Sequence, residues 1–305
     1  MRYFLCALFA VLFNYSAASA QSLAQTDATA RAAHRQITAR KIVLVGDSTV
    51  QVNSGWGGQF CATHLLASVS CVNLSRGGRS SFSFRAEGSW QLALNEMRTA
   101  GYEKTYVLIQ FGHNDMPGKP GRSTELASEY PIFIRQYVIE ARTAGAIPVL
   151  VTPLVRRSFK EGKIKNDLAP WAEAVRQVAR DENVPLLDLN AASASAIEEM
   201  GAVAALGLAQ AAPSQELIDA AATGTTIEAP RPPQVSAPAP MNCDLAPSTQ
   251  NCTIVAPISA GLPRGSFNSS FDYTHLGENG AKFVAVIVAR ELTRAVPELS
   301  NYVIP

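Results

Sequence analysis

Charge is scarce in this chain, and what there is cancels. Asp, Glu, Lys and Arg make up 17% of the 305 residues, with 26 basic side chains against 25 acidic ones. So balanced a chain has no field with which to capture nucleic acid or an anionic membrane surface. Long hydrophobic runs are missing too, since no stretch reaches the roughly 20 apolar residues that span a bilayer. Apolar residues nevertheless make up 47% of the sequence, ample for a sizeable core. Histidine is limited to His34, His64, His113 and His275, so a catalytic base has few possible positions. The five cysteines include no C-x-x-C spacing and no nearby paired histidines, which argues against a zinc site. Internal repeats are absent.

The first twenty residues have the layout of a processing signal. Arg2 starts it, Phe4 to Phe13 is a short apolar run, and Ala18-Ser19-Ala20 is a small-residue cleavage site. Cleavage near Ala20 removes Arg2 and no acid, taking the net charge from +1 to zero. Cys6 leaves with the signal, and Cys61, Cys71, Cys243 and Cys252 remain. Four cysteines allow three connectivities; the close spacing suggests local bridges 61–71 and 243–252, as an oxidising compartment permits. The expectation is a secreted protein, extracellular or periplasmic, with a loose polar leader over 21–39.

From residue 40 onward short apolar runs alternate with helical spacing. Lys41–Gly46, Tyr106–Phe111, Pro148–Thr152 and Val184–Leu189 read as buried parallel strands, with a weaker one at Cys71–Leu74. Between them, Ser123 to Ala144 carries an i, i+3/i+4 apolar stripe, as do 168–182 and Gly277 to Ala295. This alternation predicts an α/β fold, a mostly parallel sheet with helices on both faces and its functional residues at the strands' carboxyl ends. Residues 40–305 are expected to form one domain carrying an Ala/Pro-rich insertion at about 202–265. Its start, through about Gly201, has helical character; the rest reads as too poor in large apolar residues to pack a core.

Four short motifs fall at predicted strand ends. Gly46-Asp47-Ser48-Thr49 presents a serine hydroxyl at the sheet edge, and a serine needs a base to become a nucleophile. Asp272 stands three residues before His275, a spacing that lets one loop supply an imidazole and the carboxylate that orients it. Phe111-Gly-His-Asn-Asp115 offers the Asn114 amide to a developing oxyanion. Ser75-Arg-Gly-Gly-Arg-Ser80 offers a glycine whose backbone N–H can approach the same oxygen. Taken alone, each motif also has a plain structural explanation: Asp47 and Asp272 as caps, Asn114 and the glycines as turn residues.

The ordered set GDSTV, Gly55-Trp56-Gly57, GGRSS, FGHND and DYTHLGENGA resembles the SGNH (GDSL-type) hydrolases, and among them the rhamnogalacturonan acetylesterase group of carbohydrate esterases. The resemblance covers roughly 41–201 and 266–303. It implies a three-layer α/β/α sandwich on a five-stranded parallel sheet, flavodoxin-like, with Ser48 as nucleophile, His275 as base and Asp272 as its orienting acid. It also implies an oxyanion hole from the Ser48 N–H, the Asn114 side chain and Gly78, the glycine directly before Arg-Ser. No metal or organic cofactor is implied. The implied activity is removal of acetyl groups from plant cell-wall polysaccharide, rhamnogalacturonan or pectin, by a monomer that does not insert into membranes.

Other readings make different predictions. A GDSL-type lipase or thioesterase, or an acetylxylan esterase, would share the machinery and differ in acyl or sugar preference. A metallophosphoesterase would want an early D-x-H and a G-N-H order, both absent. A non-catalytic carbohydrate-binding protein would lean on Trp56, Trp90 and Trp171. Of these, Trp56 is the expected sugar-stacking residue at the site rim, alongside Arg79 and His113 as substrate contacts. Arg79, Arg85, Arg156 and Arg157 fall in or near site loops, where a guanidinium can take a uronate carboxylate or simply stay solvated.

Overall fold

A computed structural model describes residues 38–229 and 270–305. All five expected strands form, as β1 (Arg40–Gly46), β2 (Val69–Asn73), β3 (Lys104–Gln110), β4 (Ile147–Val151) and, beyond the hairpin β5 (Phe159–Lys160) and β6 (Lys163–Ile164), β7 (Leu186–Leu187). The sheet is parallel throughout, in the order β2-β1-β3-β4-β7. Its strands read as continuous apolar runs because both faces are covered. Ile42, Leu44, Leu108, Val149 and Val151 point to one core, and Val43, Val45, Val107, Ile109 and Leu150 to the other.

The helices are α1 (Gly57–Thr63), α2 (Ser83–Ala86), α3 (Ser89–Met97), α4 (Glu129–Thr143), α5 (Ala169–Glu182), α6 (Leu189–Met200), α7 (Ala202–Leu206), α8 (Gln215–Ala222) and α9 (Glu278–Ala295). On the first face, α1 and α9 supply Phe60, Val284, Val288 and Leu292. On the second, α3, α4 and α5 supply Trp90, Tyr137, Val138, Trp171 and Val175. The result is a three-layer α/β/α sandwich. Helix α4 begins six residues later than the stripe predicts. Pro131 falls in its first turn, where the missing N–H costs nothing, and Thr124 is drawn off to bond Asp115 O at 2.9 Å. Trp90 and Trp171 are core residues, 4% and 7% exposed. Among the described residues no helix is long and apolar enough to cross a membrane.

One expectation needs correcting. Residues 202–229 do pack a core, with Ala202, Ala205, Leu206, Leu208, Leu217 and Ala221 buried against Val155, Phe159, Phe271 and Tyr273. The large apolar partners come from distant parts of the chain, so local composition does not show them. Small side chains let this segment press onto the start of α9. A Cβ at Gly277 or Gly280 would lie 2.3 Å from Ala209 O or 2.2 Å from Leu208 O. A disulfide joins Cys61 in α1 to Cys71 in β2, with the Cα atoms 5.6 Å apart. Cys243, Cys252, the signal-like start and the rest of the insertion lie outside the described residues.

Candidate active site

The register of the central strands brings the motifs to one edge. Gly46 pairs with Gln110, so the turns leaving β1 and β3 start level. A side chain at Gly46 would meet Val50 at 2.6 Å and Gln110 O at 2.7 Å, so the turn requires glycine. Asp47 Oδ1 accepts from the Thr49 N–H at 2.8 Å and from its hydroxyl at 2.7 Å. Val50 and Gln51 both donate to Asp47 O at 3.2 Å, closing the turn. Ser48 sits at its apex, 7% exposed, and its carbonyl accepts from Ser54 Oγ at 2.8 Å.

Ser48 Oγ is 2.9 Å from His275 Nε2, and His275 Nδ1 is 2.7 Å from Asp272 Oδ2. The other carboxylate oxygen accepts from the Thr274 and His275 backbone N–H groups, both at 2.7 Å. Burial opposes ionisation of Asp272, but His275 and these two donors outweigh it and hold the carboxyl far below the ordinary range. With an anionic Asp272 accepting the Nδ1 proton, Nε2 is left as an acceptor for the serine hydroxyl.

Arg157, in the loop after β4, holds the Asp272–His275 segment. Its guanidinium donates to the carbonyls of Asp272 (2.9 Å), His275 (3.0 Å) and Thr274 (3.3 Å). Its backbone N–H takes the fourth carbonyl, Tyr273 O, at 2.9 Å. Arg157 is 1% exposed, and burial pushes its pKa down to about 10 against the pull of Asp272. It is therefore not available to a substrate carboxylate. No motif marks this role; it arises from a contact across more than a hundred residues.

The glycine loop and the Asn114 loop meet beside Ser48. Gly78 adopts a left-handed φ of 78°. The neighbouring Gly77 N–H is spent on Gln51 Oε1 at 2.7 Å, whereas the Gly78 and Ser48 N–H groups have no protein acceptor among the described residues. Asn114 donates one amide N–H to Arg79 O at 3.0 Å, and its Oδ1 accepts from Arg122 at 3.3 Å. The buried carboxyl of Asp115 ties the two loops together by accepting from the Ser81 N–H and the hydroxyls of Ser81 and Thr124.

Two expected substrate contacts are instead interior. Trp56 is fully buried, its indole N–H donating to Gln110 Oε1 at 3.1 Å and its ring edge-on to Phe60. The flanking glycines, which suggested an exposed loop, do the opposite. They let the backbone lie flat on the Thr49–Val50 turn, where a Cβ at Gly55 or Gly57 would approach to 2.2 Å. His113 is 3% exposed and faces inward, with Nδ1 3.4 Å from Asp47 Oδ2. That contact, with Thr49, holds the buried Asp47 ionised despite its desolvation. Arg79 does reach the surface beside Gly78, but its guanidinium is paired with Glu87 at 2.8 Å. Arg85 and Arg156 are paired likewise, with Glu140 and Asp167, both at 2.6 Å. No group of three or more His, Cys, Asp or Glu side chains is placed to hold a metal ion among the described residues.

A serine, an imidazole and a carboxylate in hydrogen-bonded series beside unspent N–H donors can carry out acyl transfer. Comparison with known proteins agrees. Residues 44–234 match the model of the GDSL-like lipase/acylhydrolase family. The probable rhamnogalacturonan acetylesterase YesY of Bacillus subtilis is 38% identical over 169 residues, 53% of this chain and 76% of the relative. Rhamnogalacturonan acetylesterase RhgT of the same organism is 37% identical over 169 residues, 53% and 69% of the two chains. An Emericella nidulans rhamnogalacturonan acetylesterase is 28% identical over 188 residues, 54% of this chain and 73% of that one. The crystal structure of the Bacillus subtilis protein YXIM superposes with a TM-score of 0.56 at 21% identity, over 85% of this chain and 57% of that one. The chain thus spans little more than half of that structure, and this last likeness concerns the fold alone.

Proposed function

The chain belongs to the GDSL-like lipase/acylhydrolase family and is an ester hydrolase; from that premise we propose that it is a secreted carbohydrate esterase removing acetyl groups from rhamnogalacturonan or a related pectic polysaccharide. The observation that carries the reading is His275, with Nε2 2.9 Å from Ser48 Oγ and Nδ1 2.7 Å from Asp272. The substrate follows from the names of the relatives at 37% and 38% identity. Export is supported by the Arg2 to Ala20 sequence and by the Cys61–Cys71 disulfide, a bond suited to an oxidising compartment.

In this mechanism Ser48 Oγ attacks the acetyl carbonyl carbon while its proton passes to His275 Nε2. The carbonyl oxygen becomes an oxyanion facing the Ser48 and Gly78 N–H groups and the second amide N–H of Asn114. Asp272 stabilises the imidazolium without taking its proton. Collapse breaks the ester C–O bond, and the sugar oxygen leaves with the proton from Nε2. Water, deprotonated at the same nitrogen, then attacks the acetyl-serine and releases acetate.

The test is acetate release by the purified chain from acetylated rhamnogalacturonan, pectin and xylan, with Ser48→Ala as control. Release is expected fastest from rhamnogalacturonan and absent in the variant. A chain-length series of p-nitrophenyl esters from acetate to decanoate should favour acetate, whereas a lipase would favour the long chains. Failure on both p-nitrophenyl acetate and acetylated pectin overturns the proposal.

A further inference from the structure

A cleft of about 580 Å³ opens beside the Gly78 loop, lined by Gly78, Arg79, Phe82, Glu87, Gly121 and Arg122 among others. It shares Gly78 with the proposed oxyanion hole, and its far wall, Arg122, touches Asn114. The acid in the lining, Glu87, is already shared by Arg79 and Arg76, at 2.8 and 3.2 Å. Arg122 forms no ion pair among the described residues. Only its Nη1 is used, donating to Gly78 O and Asn114 Oδ1, both at 3.3 Å. Its Nε and Nη2 are left for an outside acceptor. Lys119, close by and likewise without a carboxylate among the described residues, is held below its ordinary pKa by burial and by the charges of Arg156 and Arg122. The local field is therefore positive in a chain whose total charge is close to zero. Phe82, 41% exposed and backed by Phe133 at 5.7 Å between ring centroids, gives the cleft an apolar face.

An unneutralised guanidinium fork beside an aromatic face suits a ligand with one carboxylate on a ring that has a C–H face. A fatty acyl chain would leave the cation without a partner, and a neutral sugar would not use its charge. We propose that this cleft is the subsite for a uronate residue flanking the acetylated sugar, with Arg122 taking the carboxylate and Phe82 the ring face. The assignment rests on the polysaccharide-esterase reading above. It makes Arg122 the residue by which a single hydrolytic site prefers an acidic polymer.

The experiment is calorimetric titration of trigalacturonate and of its methyl ester into full-length Ser48→Ala protein and into the Ser48→Ala/Arg122→Gln variant. The free acid is expected to bind at least about tenfold tighter than the ester, as one carboxylate–guanidinium pair allows, and Arg122→Gln should abolish that ratio. Any general loss transmitted through Gly78 or Asn114 affects both ligands and leaves the ratio unchanged. Equal binding of acid and ester by Ser48→Ala overturns the subsite even if Arg122→Gln does not fold, and so does a preference that survives Arg122→Gln. Acetate release by the wild type tests the esterase reading separately. Release without an Arg122-dependent preference removes the subsite alone; a preference without release from any polymer removes the acetylesterase reading alone.

Discussion

Asp272→Asn is the most informative single change, because it alters one charge and almost no volume. The carboxylate meets three donors: the Thr274 and His275 N–H groups at Oδ1, and His275 Nδ1 at Oδ2, each at 2.7 Å. An asparagine amide has only one oxygen, and the two backbone donors claim it. Turning it round would set an NH2 group against two N–H groups and leave both unsatisfied, at about 1–3 kcal/mol apiece. The amide NH2 must therefore face Nδ1, which becomes an acceptor, and the ring proton moves to Nε2. There it points at Ser48 Oγ, and the base is gone. Loss of the wrong-tautomer population together with loss of the counter-charge to the imidazolium should lower kcat about 10³- to 10⁴-fold, roughly 4–5.5 kcal/mol of barrier. KM for p-nitrophenyl acetate should change far less, because Asp272 lies behind the imidazole. The assay is steady-state hydrolysis of that ester near neutral pH, with a thermal melt to show the variant is folded. A folded Asp272→Asn protein within about tenfold of wild-type kcat would refute the tautomer argument.

Other perturbations test the supports around this relay. Asn114→Ala should cost about 10²- to 10³-fold in kcat, less than Ser48→Ala, because two backbone donors remain; an unchanged kcat would remove Asn114 from the oxyanion hole. Arg157→Met strips the buried cation from three carbonyls. It should lower stability by about 3 kcal/mol or more, read as a fall in Tm of about 6–12 °C, and a melt equal to wild type contradicts the clamp. Asp115 is pushed up to about 7 by burial, against its bonds to Ser81 and Thr124 and with the help of Asp47. A carboxyl raised on folding contributes stability that is full below its unfolded value and is lost as pH rises through the folded one. The Tm of Asp115→Asn relative to wild type should therefore climb between about pH 4 and pH 7, and a pH-independent difference would show that Asp115 does not titrate there.

What could be read from the linear sequence is what depends on neighbours in the chain. Continuous apolar runs such as Lys41–Gly46 and Tyr106–Phe111 specify strands buried on both faces. The 3.6-residue stripes of 129–143, 169–182 and 278–295 specify the helices that cover them. The Asp272–His275 pair was legible for the same reason, since three residues of separation place both groups in one turn. What only the tertiary structure decided depends on groups far apart in sequence. Trp56 and Arg157 look like surface residues beside glycines or in a polar loop, yet the first is drawn in by backbone contact with Thr49 and Val50, and the second by the carbonyls at 272, 274 and 275. Residues 202–229 lack an apolar complement of their own and find one in Phe159, Phe271 and Tyr273. Burial is a property of the assembled packing, and a residue's own neighbourhood in the chain holds only half of each contact that creates it.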